Sequence, residues 1–186
     1  MSFVNPSTGQ TEKLTDSLGH WRQGLDTTAM FPVTELYLQP RNDGGSVMGG
    51  TAWRQNSDGT FLQSDYPFII PGGYSALDLY VMGMLPAERV TPMLLIEDLK
   101  DLGDNRFSGS PVRVRIEDIV AAMGQRVPAY ADAQKVWHMS FYVVHEPGRE
   151  ADPALMARAE GLAAAVVNYF YRATGGTMRV VPANEN

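Results

Sequence analysis

The chain has 186 residues, 44% of them hydrophobic, and carries 15 Lys and Arg against 21 Asp and Glu for a net charge of −6. That size and balance predict one domain, or one domain fragment, with a real core. Lys and Arg form no basic run, which argues against a nucleic-acid surface. The lack of a long apolar run argues against membrane insertion, and zero cysteines exclude disulfides, thiolate zinc sites and cysteine nucleophiles.

Residues 1–18 are polar and turn-rich, with Pro6 and Gly9, and read as a loop entering from a missing upstream segment. They lack the basic start and apolar centre of a signal peptide. Residues 31–70 read as β-hairpins. Pro32 to Gln39 alternate with a period of two, and turn signals stand at Asn42-Asp43-Gly44-Gly45 and Asn56-Ser57-Asp58-Gly59. Ser75 is placed to cap a short helix, with Asp78 three residues on in a capping-box pattern. Leu77, Tyr80, Val81 and Met84 share one face of that helix, Asp78 and Met82 another, and Pro86 is expected to stop it.

Pro92 to Ile96 reads as a short strand and residues 100–111 as a loop. Val112 and Val114 suggest a strand leading into a helix over Ile116 to Met123, with Gly124 as its cap. Residues 135–146 alternate with apolar types on both faces, which predicts a strand covered on both sides. Asp152-Pro153 starts a long amphipathic helix with the stripe Leu155, Ala159, Leu162, Val166, Phe170 and Ala173, ended by Gly175-Gly176. Residues 177–186 are a strand-like scrap and a polar tail. The expected fold class is α+β: a β-hairpin-rich first half, a mixed middle and the C-terminal helix packed across them.

Of the three histidines, His138 and His145 fall on opposite faces of one predicted strand and are read as structural. His20 stands apart in Gly19-His20-Trp21, outside any strong periodic pattern. The sequence has no GxSxG elbow, phosphate loop or GxGxxG.

Gly19-His20-Trp21, Ser46-Val47-Met48-Gly49-Gly50, Asp58-Gly59-Thr60-Phe61 and Tyr74-Ser75-Ala76-Leu77-Asp78-Leu79-Tyr80-Val81-Met82-Gly83 follow one another in order. Then come Ile116 to Ala122, Arg126-Val127-Pro128, Ala133-Gln134-Lys135, Asn168-Tyr169-Phe170 and Ala173-Thr174-Gly175-Gly176. This ordered set, from about residue 19 to residue 178, resembles the C-terminal portion of a zincin-like metalloprotease domain of secreted bacterial proteins. Residues 27–45 stand as an insertion relative to that pattern.

The resemblance implies an HExxH helix shortly before Gly19, whose two histidines bind zinc and whose glutamate activates a water. No HExxH occurs in this sequence: the His-Glu pair His145-Glu146 is followed by Pro147-Gly148-Arg149. The resemblance therefore implies that an upstream HExxH-bearing segment is the partner, that zinc belongs to the intact domain, and that this chain by itself is inactive. It makes His20 the leading candidate for a third zinc ligand and Asp78 the second, with Met82 as the floor of the site. It also implies a peptide substrate and a secreted or cell-surface location. Beside the resemblance, the capping box gives Asp78 a purely structural role, and a methionine at helical spacing is ordinarily core filler. The alternative is a non-catalytic binding or structural module, with Trp53, Tyr66 and Tyr74 as candidate contacts.

Overall fold

A computed structural model describes residues 1–33, 46–63, 73–148, 150 and 152–183. The fold is α+β, with a mixed six-stranded sheet, two smaller two-stranded sheets and three α-helices among the described residues.

The chain opens with a hairpin, β1 (Ser2–Val4) against β2 (Thr11–Lys13). The loop expected over residues 1–18 is therefore corrected. Phe3 is fully buried in the main core, and Asn5 closes the turn by pairing its backbone N–H with the Gln10 carbonyl at 2.8 Å. Three-residue strands, with Phe3 and Val4 adjacent in β1 and no apolar residue in β2, give no period-two pattern.

The six-stranded sheet runs β4 (Gly49–Thr51), β3 (Trp21–Asp26), β7 (Met93–Gly103), β8 (Arg106–Val114), β6 (Phe61–Gln63) and β5 (Trp53–Gln55). Only the β3–β4 pair is parallel. The hairpin β5–β6 sits where the Asn56–Gly59 turn signal placed it, and Asp58 tightens that turn by accepting from the Thr60 N–H at 3.0 Å. The Asn42–Gly45 turn and most of the Pro32–Gln39 alternation lie outside the described residues.

The loop expected over 100–111 is a second correction, because β7 and β8 form one long hairpin. Asp104 and Asn105 carry φ values of 51° and 57° at its tip. Two consecutive positive φ values are what a tight hairpin turn needs, and Asp and Asn tolerate them best among residues with a Cβ. Alternation along β7 feeds two cores. Leu95 packs into the main one, while Ile96 joins Trp53, Phe61 and Phe107 in a smaller cluster. In that cluster the Trp53 and Phe107 rings meet edge to face at 5.1 Å.

Helix α1 (Ala76–Met82) starts as the sequence predicts. The Ser75 hydroxyl accepts from the Asp78 N–H, and the Asp78 carboxylate accepts from the Ser75 N–H. It ends before Pro86, at Gly83, whose φ of 77° and ψ of 20° form a left-handed cap donating to the Leu79 and Tyr80 carbonyls. Helix α2 (Ile116–Met123) ends at Gly124 as expected.

The strand expected over residues 135–146 shrinks to β9 (Val136–Met139), which among the described residues pairs in parallel with β10 (Arg179–Pro182) alone. Its expected cover is not found among the described residues: Val136 and Trp137 are exposed, as are Tyr142 (85%) and Val144 (91%) beyond it. Helix α3 (Pro153–Ala173) begins with Asp152 as N-cap, its side chain accepting from the Ala154 N–H at 2.9 Å. It does not pack across the fold along its whole length. Tyr169 and Ala173 are buried near its end, whereas Leu155, Met156 and Leu162 are exposed. An open groove of about 750 Å³ lies between α3 and β10, lined by Phe141, Ala163, Ala164, Val167, Tyr171 and Val181. No helix among the described residues is long and apolar enough to cross a membrane.

Candidate functional site

His20 lies on a turn built by Asp16. The Asp16 carboxylate accepts from the Leu18 N–H at 2.8 Å and from the His20 N–H at 2.9 Å. The Asp16 N–H donates to the His20 carbonyl at 2.8 Å, which closes the turn. Gly19 supplies the positive φ of 87° that this path requires. The imidazole is exposed, with Nδ1 3.9 Å from the Asp16 carboxylate.

Beside His20 runs the segment Ser46–Thr51, stitched to β3 by buried hydrogen bonds. The Trp21 N–H donates to the Met48 carbonyl at 3.0 Å, and the Thr27 hydroxyl donates to the Gly49 carbonyl at 2.8 Å. A Cβ on Gly49 would come within 3.0 Å of the Trp21 backbone and 3.1 Å of the His20 Cβ, so this close approach selects glycine. Between the two segments opens a polar cleft of about 330 Å³, bordered by Asp16, His20, Gln23 and Thr51.

Trp21 turns inward where His20 turns outward. Its indole N–H donates to Asp78 Oδ1 at 2.5 Å. The other carboxylate oxygen accepts from the Ser75 N–H at 2.7 Å and the Ser75 hydroxyl at 2.6 Å. Asp78 is only 2% exposed, and three donors meet its two oxygens. It braces β3 against α1, with its oxygens directed at Trp21 and Ser75. Around it stand Tyr74 and Tyr169, whose ring centroids are 6.4 Å apart. Burial, then Tyr169 and the negative charge of Asp78, push the Tyr74 phenol up to about 12. Burial and Asp78 likewise raise Tyr169. Both phenols therefore stay neutral at physiological pH.

The far end of α1 gathers two more of the stretches singled out in the sequence. The Arg126 guanidinium donates to the Val81 carbonyl at 2.8 Å and also to the Pro128 carbonyl. The Lys135 ammonium donates to the Gly83 and Tyr130 carbonyls, each at 2.6 Å, and sits 4.1 Å from the Tyr130 ring centroid. Both cations serve the negative end of a helix that has no basic residue in its own last turn. Burial, and then the neighbouring Arg126 charge, lower the Lys135 pKa. Met82 is partly buried and packs against the main core.

The contacts proposed for a binding module fare differently. Trp53 and Tyr74 are buried, the Trp53 indole N–H donating to the Gln23 carbonyl at 3.0 Å, so neither presents a free aromatic face. Tyr66 lies outside the described residues. Exposed aromatics among the described residues include Trp137, Phe141 and Tyr142, which the sequence assigned to a covered strand, and also Tyr130 and Tyr171. The brace between Trp21 and Asp78 also escaped the sequence, since it joins residues 57 positions apart.

No three His, Asp or Glu side chains converge as a metal-binding group among the described residues. His20 and its Asp16 neighbour suit a contribution of one ligand. At 3.9 Å the Asp16 carboxylate lies near the ring without a hydrogen bond to it, so the exposed imidazole keeps its ring nitrogens accessible to a metal. Since the His20 side chain is exposed and makes no hydrogen bond to Asp16, His20→Ala is expected to change folding stability by less than about 0.5 kcal/mol in a urea melt.

No protein-family model, no curated protein and no solved structure matches the chain.

Proposed function

We propose that this chain is the C-terminal portion of a zincin-like zinc metallopeptidase domain, completed by an upstream HExxH-bearing segment. The observation that carries the proposal is the hydrogen bond from Trp21 to Asp78. It fastens the turn bearing His20 to α1, and so joins two of the stretches on which the resemblance rests. The hydrogen bonds of Ser46–Thr51 to β3, and those of Arg126 and Lys135 to the end of α1, bring further stretches to the same scaffold.

In this reading His20 supplies one zinc ligand from the rim of the cleft, its backbone N–H held by the Asp16 carboxylate. Asp78 and Ser75 hold Trp21, and through it the backbone at His20, in a fixed position. Met82, the last residue of α1, packs against the main core and forms the floor of the site in this reading. Zinc, held mostly by the upstream segment, would polarise the carbonyl of a bound peptide and activate a water. The exposed apolar residues of β9, of 140–144 and of the first turns of α3 offer a surface on which that upstream segment packs.

Zinc affinity of the protein extended to include its upstream segment tests the proposal. His20→Ala is expected to weaken it by more than the roughly 10–100-fold typical of outer-shell partners. An unchanged affinity refutes the role of His20.

The same apolar surface supports a second reading, a non-catalytic binding module of a secreted or cell-surface protein, with Trp137, Phe141 and Tyr142 as contacts. A cooperative melt of the extended protein that responds to neither zinc nor chelator favours that reading over the first.

A further inference from the structure

The strongest feature outside the cleft is a pair of carboxyl groups joining the N-terminal hairpin to the central sheet. Glu12 on β2 and Glu97 on β7 meet over Asn5, a fully buried residue of the hairpin turn. The Asn5 side-chain amide donates to Glu12 Oε1 at 2.8 Å and lies 3.4 Å from Glu97 Oε1. The Asn5 side-chain oxygen is occupied separately, accepting from the Ser7 N–H at 2.9 Å. Thr8 donates its hydroxyl to Glu12 at 3.2 Å. Arg22, from β3, is the cation acting on both carboxyls. On the other side of the turn, Pro6 and Ser7 border a cavity with Arg113, Arg115 and Asp118.

We propose that Asn5, Glu12 and Glu97 form a proton-sensitive clasp, which holds the β1–β2 hairpin to the central sheet while one proton is shared between the two carboxyls and loosens when both ionise. Asn5 can donate to both groups but cannot neutralise them, so among the described residues a second negative charge is opposed by Arg22 alone. The hairpin leads through Leu14 directly into the turn of Asp16 and His20, and the Arg22 N–H donates to the Leu14 carbonyl at 2.9 Å. The clasp therefore sets how firmly the strand approaching His20 is held.

The charges support this direction. Burial raises Glu97, and the hydrogen bond and charge of Glu12 raise it further. Burial alone would raise Glu12 too, but hydrogen bonds from Glu97, Asn5 and Thr8 and the charge of Arg22 outweigh it and leave Glu12 lowered. A raised folded-state pKa gives stability that is lost as pH rises through it. A lowered one gives stability that is lost as pH falls through it. The clasp is thus tightest between the two titrations.

Amide hydrogen exchange of the whole chain, corrected for its intrinsic pH dependence, is the test. The Asn5 and Leu14 amides, which donate to Gln10 and Met1, are expected to open several-fold more often at pH 8 than at about pH 4.5, the ordinary carboxylate range. Glu97→Gln, whose amide can donate to Glu12 at every pH, is expected to abolish that step and keep acid-like protection at pH 8. A wild-type protein without the step, or a Glu97→Gln variant that retains it, overturns the proposal. Carboxyl NMR titration of the unaltered protein gives an independent reading. Glu97 must titrate above Glu12, and two carboxyls titrating together at the ordinary value also overturn it.

Discussion

Replacing Asp78 with alanine is expected to destabilise the protein by about 4 kcal/mol, a large effect for a single substitution. Asp78 accepts from the Trp21 indole, the Ser75 N–H and the Ser75 hydroxyl, and it is almost fully buried. Alanine strands those donors away from water, at about 1–3 kcal/mol for each that finds no new partner. It also removes the reciprocal cap of α1, whose loss costs about 1 kcal/mol. Some relaxation around the site keeps the total below the plain sum. Asp78→Asn should cost less, because its carbonyl oxygen still accepts, although its amide must then face a donor. Urea denaturation of the two variants checks this. A loss below about 1 kcal/mol for Asp78→Ala, the level of an exposed cap, would mean that the brace is not formed.

Gly83→Ala is expected to cost about 3 kcal/mol. A φ of 77° disfavours any residue with a Cβ by about 1–2 kcal/mol. The added methyl would also lie 2.6 Å from the Ala133 Cβ and 2.8 Å from the Arg126 guanidinium carbon. The guanidinium can move, but only by giving up its hold on the Val81 carbonyl. Overpacking of this kind costs about 1–3 kcal/mol. If instead the variant melts within about 0.5 kcal/mol of the parent, as unconstrained surface positions do, then Arg126 and Ala133 do not close over the helix end. The two substitutions act at opposite ends of α1. Against them, the neutrality expected for His20→Ala separates the scaffold from the exposed residue it presents.

How far the sequence revealed this arrangement follows from the range of each interaction. The Ser75–Asp78 box, the Asp152 cap, the Gly124 cap and the turn at Asn56–Gly59 are local, and the residue types alone specify them. The end of α1 was also written locally, in Gly83, but Pro86 drew the boundary too late. The β7–β8 hairpin was hidden because Gly, Asp, Asn and Ser dominate residues 100–111. Those types usually signal a loop, yet here cross-strand pairing carries them as strand, and only Asp104-Asn105 turn.

The interactions that define the candidate site are not local. Trp21 reaches Asp78 across 57 positions, and Glu97 faces a hairpin 92 positions away through Asn5. No periodicity records such a pairing. His20 was singled out by residue type and order, while its turn could have been anticipated from Asp16 and Gly19 flanking it. The apolar stripe of α3 and the alternation of 135–146 were read as covered faces, and the described residues do not supply that cover. Periodicity states which face is apolar without stating what lies against it, and the described residues leave both faces largely open. That open surface fits the proposed upstream segment.

The central claim is that an HExxH-bearing segment precedes this chain and shares a zinc site with His20. Its most direct test is to determine the N-terminus and mass of the mature protein, read against the coding sequence upstream of Met1. The account predicts a mature protein that extends beyond Met1 and carries an in-frame His-Glu-x-x-His a few tens of residues before Gly19. A mature protein that begins at Met1 contradicts it, and would direct attention to a partner for the exposed face of β9 and α3.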